Sequence, residues 1–204
     1  MDNSVTRGMA LLLSGGMDSI ALAWSLRPRR CITIDYGQLP AAGEIRAAEA
    51  VCRSIGLEHE ILSIDCRALG SGQMSGLAPL PVAPIPEWWP FRNQLLVTLA
   101  AAHAVKWGPT TLVIGTVESD SCHADGSQLF VDAMCKVLEL QEGAISLTAP
   151  AIRESSAVLC RRAAVPHSIL AWAHSCHVSE YACGICRGCV KHRITMDELG
   201  FGEY

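Results

Sequence analysis

The apolar run Met9 to Leu13, followed at once by Ser14-Gly15-Gly16-Met17-Asp18-Ser19, restricts this chain more than any other stretch. An unbroken apolar run suits a strand buried on both faces, as in parallel sheets. Two glycines then break the run, and apolar spacing resumes from about Asp18 to Leu26, which predicts strand, tight loop and helix in succession. In that arrangement the loop's backbone N–H groups and the positive end of the helix face one space, and phosphate binds there with little help from side chains. Ser14 and Ser19 add hydroxyl donors. Asp18 is a poor neighbour for a bare phosphate but suits a Mg2+ ion that bridges carboxylate and phosphates. A plain glycine-rich turn is the alternative. Neither G-x-x-x-x-G-K-[ST] nor G-x-G-x-x-G occurs, so the lysine loop of γ-phosphate transfer and the usual dinucleotide fingerprint are both absent.

The rest of the chain alternates in the same way. A second apolar run, Cys31–Ile34, ends at Asp35-Tyr36-Gly37, and Ile45, Ala48, Cys52 and Ile55 give a helical face stopped by Gly56. A strand is predicted at Glu60–Ile64, a helix at Asn93–Lys106 and a strand at Thr111–Gly115. A helix follows at Ser127–Gln141 with Leu129, Ala133, Val137 and Leu140 on one face, then a short helix at Ala157–Ala163. Strands separated by helices imply a parallel sheet with right-handed crossovers, an α/β, doubly wound, mostly parallel fold in one domain, 1–204. Between Gly70 and Pro90 lie five of the ten prolines and the pair Trp88-Trp89, so residues 70–90 are read as a long loop that acts as a lid. Trp88 and Trp89 stack on a ligand or cover its site, or else make a dimer contact or anchor that loop.

A formal net charge of -4 over 204 residues gives no general attraction to nucleic acid or acidic membrane. Arg27, Arg29 and Arg30 form the one basic cluster, read as a solvated helix end. No apolar run approaches membrane-spanning length, and Met1–Gly8 carries no secretory pattern, so a cytoplasmic setting is expected. There the ten cysteines stay reduced. Six of them, Cys31, Cys52, Cys66, Cys122, Cys135 and Cys160, are scattered through mostly apolar stretches and read as small buried hydrophobes.

The other four are not scattered. Cys176-x6-Cys183-x2-Cys186-x2-Cys189 places four thiolates in and beside a turn that holds Gly184 and Gly188, enough to surround one tetrahedral ion. Residues 174–193 are therefore a metal segment. Zn2+ is expected, closed to catalysis, with an iron–sulfur cluster as the rival. His174, His177 and His192 flank the thiolates and orient them or face solvent.

Ser14-Gly15-Gly16-Met17-Asp18-Ser19 resembles the loop of the ATP pyrophosphatases, which cleave between the α- and β-phosphates. Taken with four further motifs, the chain resembles the 7-cyano-7-deazaguanine synthase family of queuosine biosynthesis from Met9 to about Arg193. Asp35-Tyr36-Gly37-Gln38 matches that family's DYGQ, with Glu44 near its next acidic residue. Pro90-Phe91-Arg92-Asn93 resembles P-G-R-N, Gly115–Asp120 resembles G-x-x-x-T-D, and the four cysteines match its zinc ligands.

The resemblance implies an adenine nucleotide α-hydrolase-like fold and an ATP- and Mg2+-dependent ligase that releases AMP and pyrophosphate. It implies Asp18, Arg92 and Asp125 as catalytic, and Ser14, Gly15, Gly16, Met17, Asp18, Ser19, Asp35, Tyr36, Gln38 and Gly115 around the nucleotide. Arg92, Asn93, Glu118, Asp120 and Asp125 would bind the deazaguanine acid, and the chain would be a homodimer.

Departures from the family's pattern bear on the second half of the reaction. Leu39-Pro40 stand where a basic residue and His usually follow DYGQ, and His123-Ala124-Asp125-Gly126-Ser127 replaces Y-P-D-C-R. Ile152-Arg153-Glu154-Ser155 lacks an expected Lys. Adenylation is expected to persist while nitrile formation from ammonia is slow. A protein amine, as in specialised anti-phage relatives, is the alternative acceptor. A tRNA-modifying enzyme of the same superfamily and a non-catalytic partner protein are the remaining readings.

Overall fold

A computed structural model describes residues 8–108 and 111–202. The reading of Met1–Arg7 lies outside them. Strand β1 (Met9–Leu12) leads into helix α1 (Met17–Leu26), β2 (Arg30–Asp35), α2 (Ala41–Ile55) and β3 (Glu58–Ser63). After the Gly70–Pro90 segment come α3 (Arg92–Ala104), β4 (Thr111–Val113), α4 (Gln128–Glu139), β5 (Ser146–Thr148), α5 (Ser156–Arg162), α6 (His167–Leu170) and α7 (Arg187–Glu198).

The five strands form one parallel sheet in the order β3-β2-β1-β4-β5. The chain walks from β1 to β3 on one side and returns to place β4 and β5 on the other. The loops after β1 and β4 therefore diverge to opposite faces and open a crevice at the strands' C-terminal ends.

Alternation along β1 sends Leu11 to one apolar layer and Ala10 to the other. The first layer joins Ile20, Leu22, Val51, Leu159, Leu170 and Met196, so helices α1, α2, α5, α6 and α7 share one face. The second holds Ile32, Trp89, Val97, Ala100, Leu112 and Leu147. Small residues on α3 (Ala100, Ala101, Ala104) let that helix lie close against the sheet.

Three features differ from the sequence reading. The stripe Leu129, Ala133, Val137 and Leu140 faces solvent, with Leu129 79% and Leu140 84% exposed; Val131, Met134 and Leu138 are the buried face of α4. Both stripes repeat at helical spacing, so only the position of β5 chooses between them. The strand β5 is three residues long, too short to show in a pattern. The tail read as a turn also builds a full helix, α7.

The Gly70–Pro90 segment is pinned to the body. Ser71, Met74, Glu87 and Trp89 are buried within it, and the Trp89 ring meets Tyr36 edge-on at 4.9 Å and 84°. Among the described residues no helix is long and apolar enough to cross a membrane.

Candidate nucleotide pocket and four-thiolate centre

Gly15 adopts φ +75°, and a Cβ there would lie 2.5 Å from the Glu44 carbonyl oxygen, so only glycine fits this turn. Gly16 caps α1 with extended backbone and no side-chain hydrogen bond, which leaves the first N–H groups of the helix open to a ligand. Ser19 Oγ donates to the Gly16 carbonyl at 3.0 Å and sits 3.2 Å from Ser14 Oγ. At the end of β4, Gly115 presses so closely on this turn that a Cβ would stand 3.2 Å from the Ser19 nitrogen.

The Lys191 ammonium lies 3.1 Å from Asp18 Oδ2 and 3.9 Å from Asp120 Oδ1. The other carboxylate oxygen of Asp18 is buried without a hydrogen-bond partner. Burial raises the Asp18 carboxyl above its ordinary range, opposed by Lys191. A buried carboxylate oxygen beside the Ser14–Ser19 loop, with only the Ser156 hydroxyl near it, fits a divalent cation such as Mg2+.

At the far end of the crevice, Asp35 and Gln38 shape a turn. Asp35 Oδ1 accepts from the Gly37 N–H at 3.0 Å. Gln38 accepts from the Tyr36 N–H and donates to Glu44 Oε2 at 2.7 Å. Tyr36 and Glu44 are the residues presented to the cavity. Burial pushes the Glu44 carboxyl up to about 7.

Arg92 opens α3 after Phe91, whose φ of +52° is a left-handed corner, and its Nη1 rests on the Met74 sulfur at 2.9 Å. Asp125 accepts from the Asn93 N–H at 3.1 Å, and Asn93 Nδ2 donates back to the Asp125 carbonyl at 2.9 Å. Asp125 thus caps α3 and holds the pair Arg92-Asn93 in place.

A cavity of about 280 Å³ unites these groups. Of the residues singled out in the sequence, Ser14, Gly16, Met17, Asp18, Ser19, Tyr36, Arg92, Asn93, Gly115 and Asp120 line it. Gly15, Asp35, Gln38, Glu118 and Asp125 stand outside its lining. Glu44, His123 and Lys191 line it without having been placed in the site from sequence. The position of Glu44, six residues after Gln38, was a usable signal; Lys191 was hidden inside the metal segment.

The sulfurs of Cys176, Cys183, Cys186 and Cys189 lie within 4.8 Å of one another. Cys183–Cys189 and Cys176–Cys186 are each 3.9 Å apart. A tetrahedral ion with metal–sulfur bonds of about 2.3 Å requires sulfurs about 3.8 Å apart, so the cluster fits a metal. The Cys186 N–H donates to Cys183 Sγ at 3.3 Å, and the Cys189 and His177 N–H groups donate to Cys186 Sγ at 3.4 Å. Backbone N–H groups of Ile185 and Cys186 pull the Cys183 thiol down to about 6. Cys186 also caps α7.

This centre is docked on the loop. The His174 N–H donates to the Gly15 carbonyl at 2.9 Å, and Cys176 lines the cavity. His174 Nε2 and His192 Nδ1 pair with the Ser179 carbonyl and Ser175 Oγ, each at 3.0 Å, so both rings brace the segment.

The molecule is thus a parallel α/β protein whose glycine-rich loop after β1 abuts a four-cysteine cluster that fits a metal ion. The chain belongs to the QueC family: the model of "Queuosine biosynthesis protein QueC" matches residues 9–200. The 7-cyano-7-deazaguanine synthase of Desulforudis audaxviator is 33% identical over 88% of this chain and 91% of that protein. That of Chlorobaculum parvum is 30% identical over 95% and 93%. A solved structure, U34-tRNA thiolase NcsA from Methanococcus maripaludis with its [4Fe-4S] cluster, aligns at TM-score 0.49 and 14% identity over all of this chain and 60% of that one, a distance at which it informs neither fold nor site.

Proposed function

We propose that this chain activates 7-carboxy-7-deazaguanine with ATP and passes the acyl group to an amine, as its synthase-named relatives suggest. The observation that carries the reading is the cavity itself. It runs from the open N-terminus of α1 to a polar end made by Arg92, Glu44 and Tyr36. The first suits phosphates, the second a guanine-like base bearing a carboxylate.

The open N–H groups of α1 with Ser14 and Ser19 hold the nucleotide's phosphates. Asp18 holds the Mg2+ ion, which supplies charge neutralisation on those phosphates when bound. Arg92 pairs with the substrate carboxylate and orients one of its oxygens toward the α-phosphorus. That oxygen forms the new bond to phosphorus, the bond to the β-phosphate oxygen breaks, and pyrophosphate leaves with the electron pair. Glu44 offers acceptors for the N1–H and exocyclic amine of the base, and Asp120 lies between the two ends of the cavity, beside Lys191. The amine nitrogen then attacks the acyl carbon, AMP leaves, and one proton is released. With ammonia the product is the amide, and a second ATP drives loss of its oxygen to give the nitrile.

Incubation with ATP, Mg2+, 7-carboxy-7-deazaguanine and ammonia, followed by mass spectrometry, tests this reading. AMP, pyrophosphate and amide are expected, with nitrile slower because Leu39 and Pro40 stand where the family pattern has a basic residue and His. A chain that forms no AMP with this acid overturns it.

A protein amine is the second reading for the acceptor. It is favoured by the apolar side chains that the Gly70–Pro90 segment and the residue after it expose, with Leu77 56%, Val82 76% and Phe91 72% exposed. We take the ion between the four thiolates to be Zn2+, because four cysteines leave no open position and suit a structural role. Ten free thiols accord with a reducing, cytoplasmic setting. The exposed stripe of α4 supports a homodimer. Paired antiparallel with its copy, Leu129 would meet Leu140 and Asp132 would face Lys136.

A further inference from the structure

We infer that Lys191 contacts the nucleotide's phosphates, and that the four-thiolate centre serves catalysis by holding this lysine over the loop. The inference rests on the proposed ATP-dependent activation. Lys and Arg in the cavity lining amount to Arg92 and Lys191, set against the carboxylates Asp18, Glu44 and Asp120. A nucleoside triphosphate adds several negative charges to that deficit.

Arg92 belongs to the base end, with its guanidinium on the Met74 sulfur beside Tyr36 and Glu44. Lys191 belongs to the loop end, between Asp18 on the first turn of α1 and Asp120 after β4. Its side chain is 36% exposed, so the ammonium is reachable from the cavity. Two carboxylates share this one ammonium, and the second oxygen of Asp18 is buried with only the Ser156 hydroxyl to serve it. The cluster thus carries more negative than positive charge, and a magnesium-bound triphosphate supplies both a cation for Asp18 and an anion for Lys191.

The placement of Lys191 depends on the metal segment. It lies two residues after Cys189, in the first turns of α7, and that helix starts from the Cys186 cap. Gly188 lies against the Ser175 carbonyl, where a Cβ would come within van der Waals contact and block the approach. An ion gathering the four sulfurs would therefore also fix where the α7 lysine points. During adenylation the ammonium sits beside the pyrophosphate oxygen that takes the electron pair of the breaking bond, so its charge matters most as that bond opens.

The test compares native chain, Lys191→Met and Lys191→Arg, each checked for equal metal content and melting temperature. The first readout is calorimetric binding of magnesium α,β-methylene-ATP, which cannot be cleaved between its α- and β-phosphorus and so transfers no adenylyl group. The second is kcat and KM for AMP release with 7-carboxy-7-deazaguanine. Loss of a charge-assisted contact predicts binding weaker by roughly 10- to 100-fold in Lys191→Met, a fall in kcat, and partial recovery in Lys191→Arg. Native-like binding in Lys191→Met overturns the inference, as does a native chain that binds no analogue. If the native chain binds the analogue but releases no AMP with this acid, the substrate reading fails, and the binding comparison still decides the role of Lys191.

Discussion

At Asp18 one carboxylate oxygen meets Lys191 and the other is buried near the Ser156 hydroxyl, so the ionised side chain carries a local cost that a bound cation would offset. Asp18→Asn keeps the shape and discards the charge. The variant is expected to melt no lower than the native protein, because burial already disfavours the ionised form. AMP release should fall at least ~100-fold, as expected for losing a metal-binding group at the reacting phosphates. Normal turnover of the folded variant would place the Mg2+ ion elsewhere.

Glu44 gives a pH signature. Its carboxyl stands at about 7 in the folded chain against an ordinary 4.5, chiefly through burial. A raised carboxyl gives stability that is complete below pH 4.5 and is lost as pH rises through 7. The ligand-free protein should therefore lose up to roughly 3 kcal/mol across that window from this residue. Glu44→Gln should flatten the profile and raise the melting temperature at the alkaline end, while weakening binding of the deazaguanine acid. A native slope retained in Glu44→Gln would assign the titration to another group.

At the scale of elements, α7 and the turn before it matter most. Apart from its thiolates and Val178, the segment around Cys176, Cys183, Cys186 and Cys189 packs little apolar material into a core of its own. An ion must therefore supply much of what holds it together. Cys186→Ser removes one ligand, the α7 cap and the acceptor of the His177 and Cys189 N–H groups together. Its expected result is loss of bound metal and of soluble protein before any change in a chemical step can be measured. Elemental analysis of the native chain should give one zinc per molecule; iron in its place would make the centre a cluster.

The motif and the element do not always coincide. In Asp35-Tyr36-Gly37-Gln38 the first and last side chains are spent on the turn's own hydrogen bonds, which frees Tyr36 and leads to Glu44. Asp125 likewise works through α3, whose N-terminus it caps. Residue type and spacing announced that these segments mattered, but not which atom faces the ligand.

For the whole molecule, the exposed stripe of α4 bears on assembly. Leu129 and Leu140 are 79% and 84% exposed, an arrangement that a helix in contact only with water does not favour. A double substitution to glutamate, Leu129→Glu with Leu140→Glu, should leave the melting temperature near native and convert a dimer to a monomer in light scattering. An unchanged mass would remove α4 from the interface.

What the sequence by itself determined was local in origin. The apolar run ending at Ser14-Gly15-Gly16 dictated a buried strand, a tight loop and an open helix end, because glycine geometry and strand burial act over a few residues. The spacing of the four cysteines dictated a metal site for the same reason. Tertiary structure decided what depends on partners distant in the chain. It chose between two equally periodic faces of α4 by setting β5 against one of them. It turned the metal segment so that Lys191 reaches Asp18, 173 positions earlier. No local pattern encodes such a meeting, which exists only once the sheet order brings the tail back over the first loop.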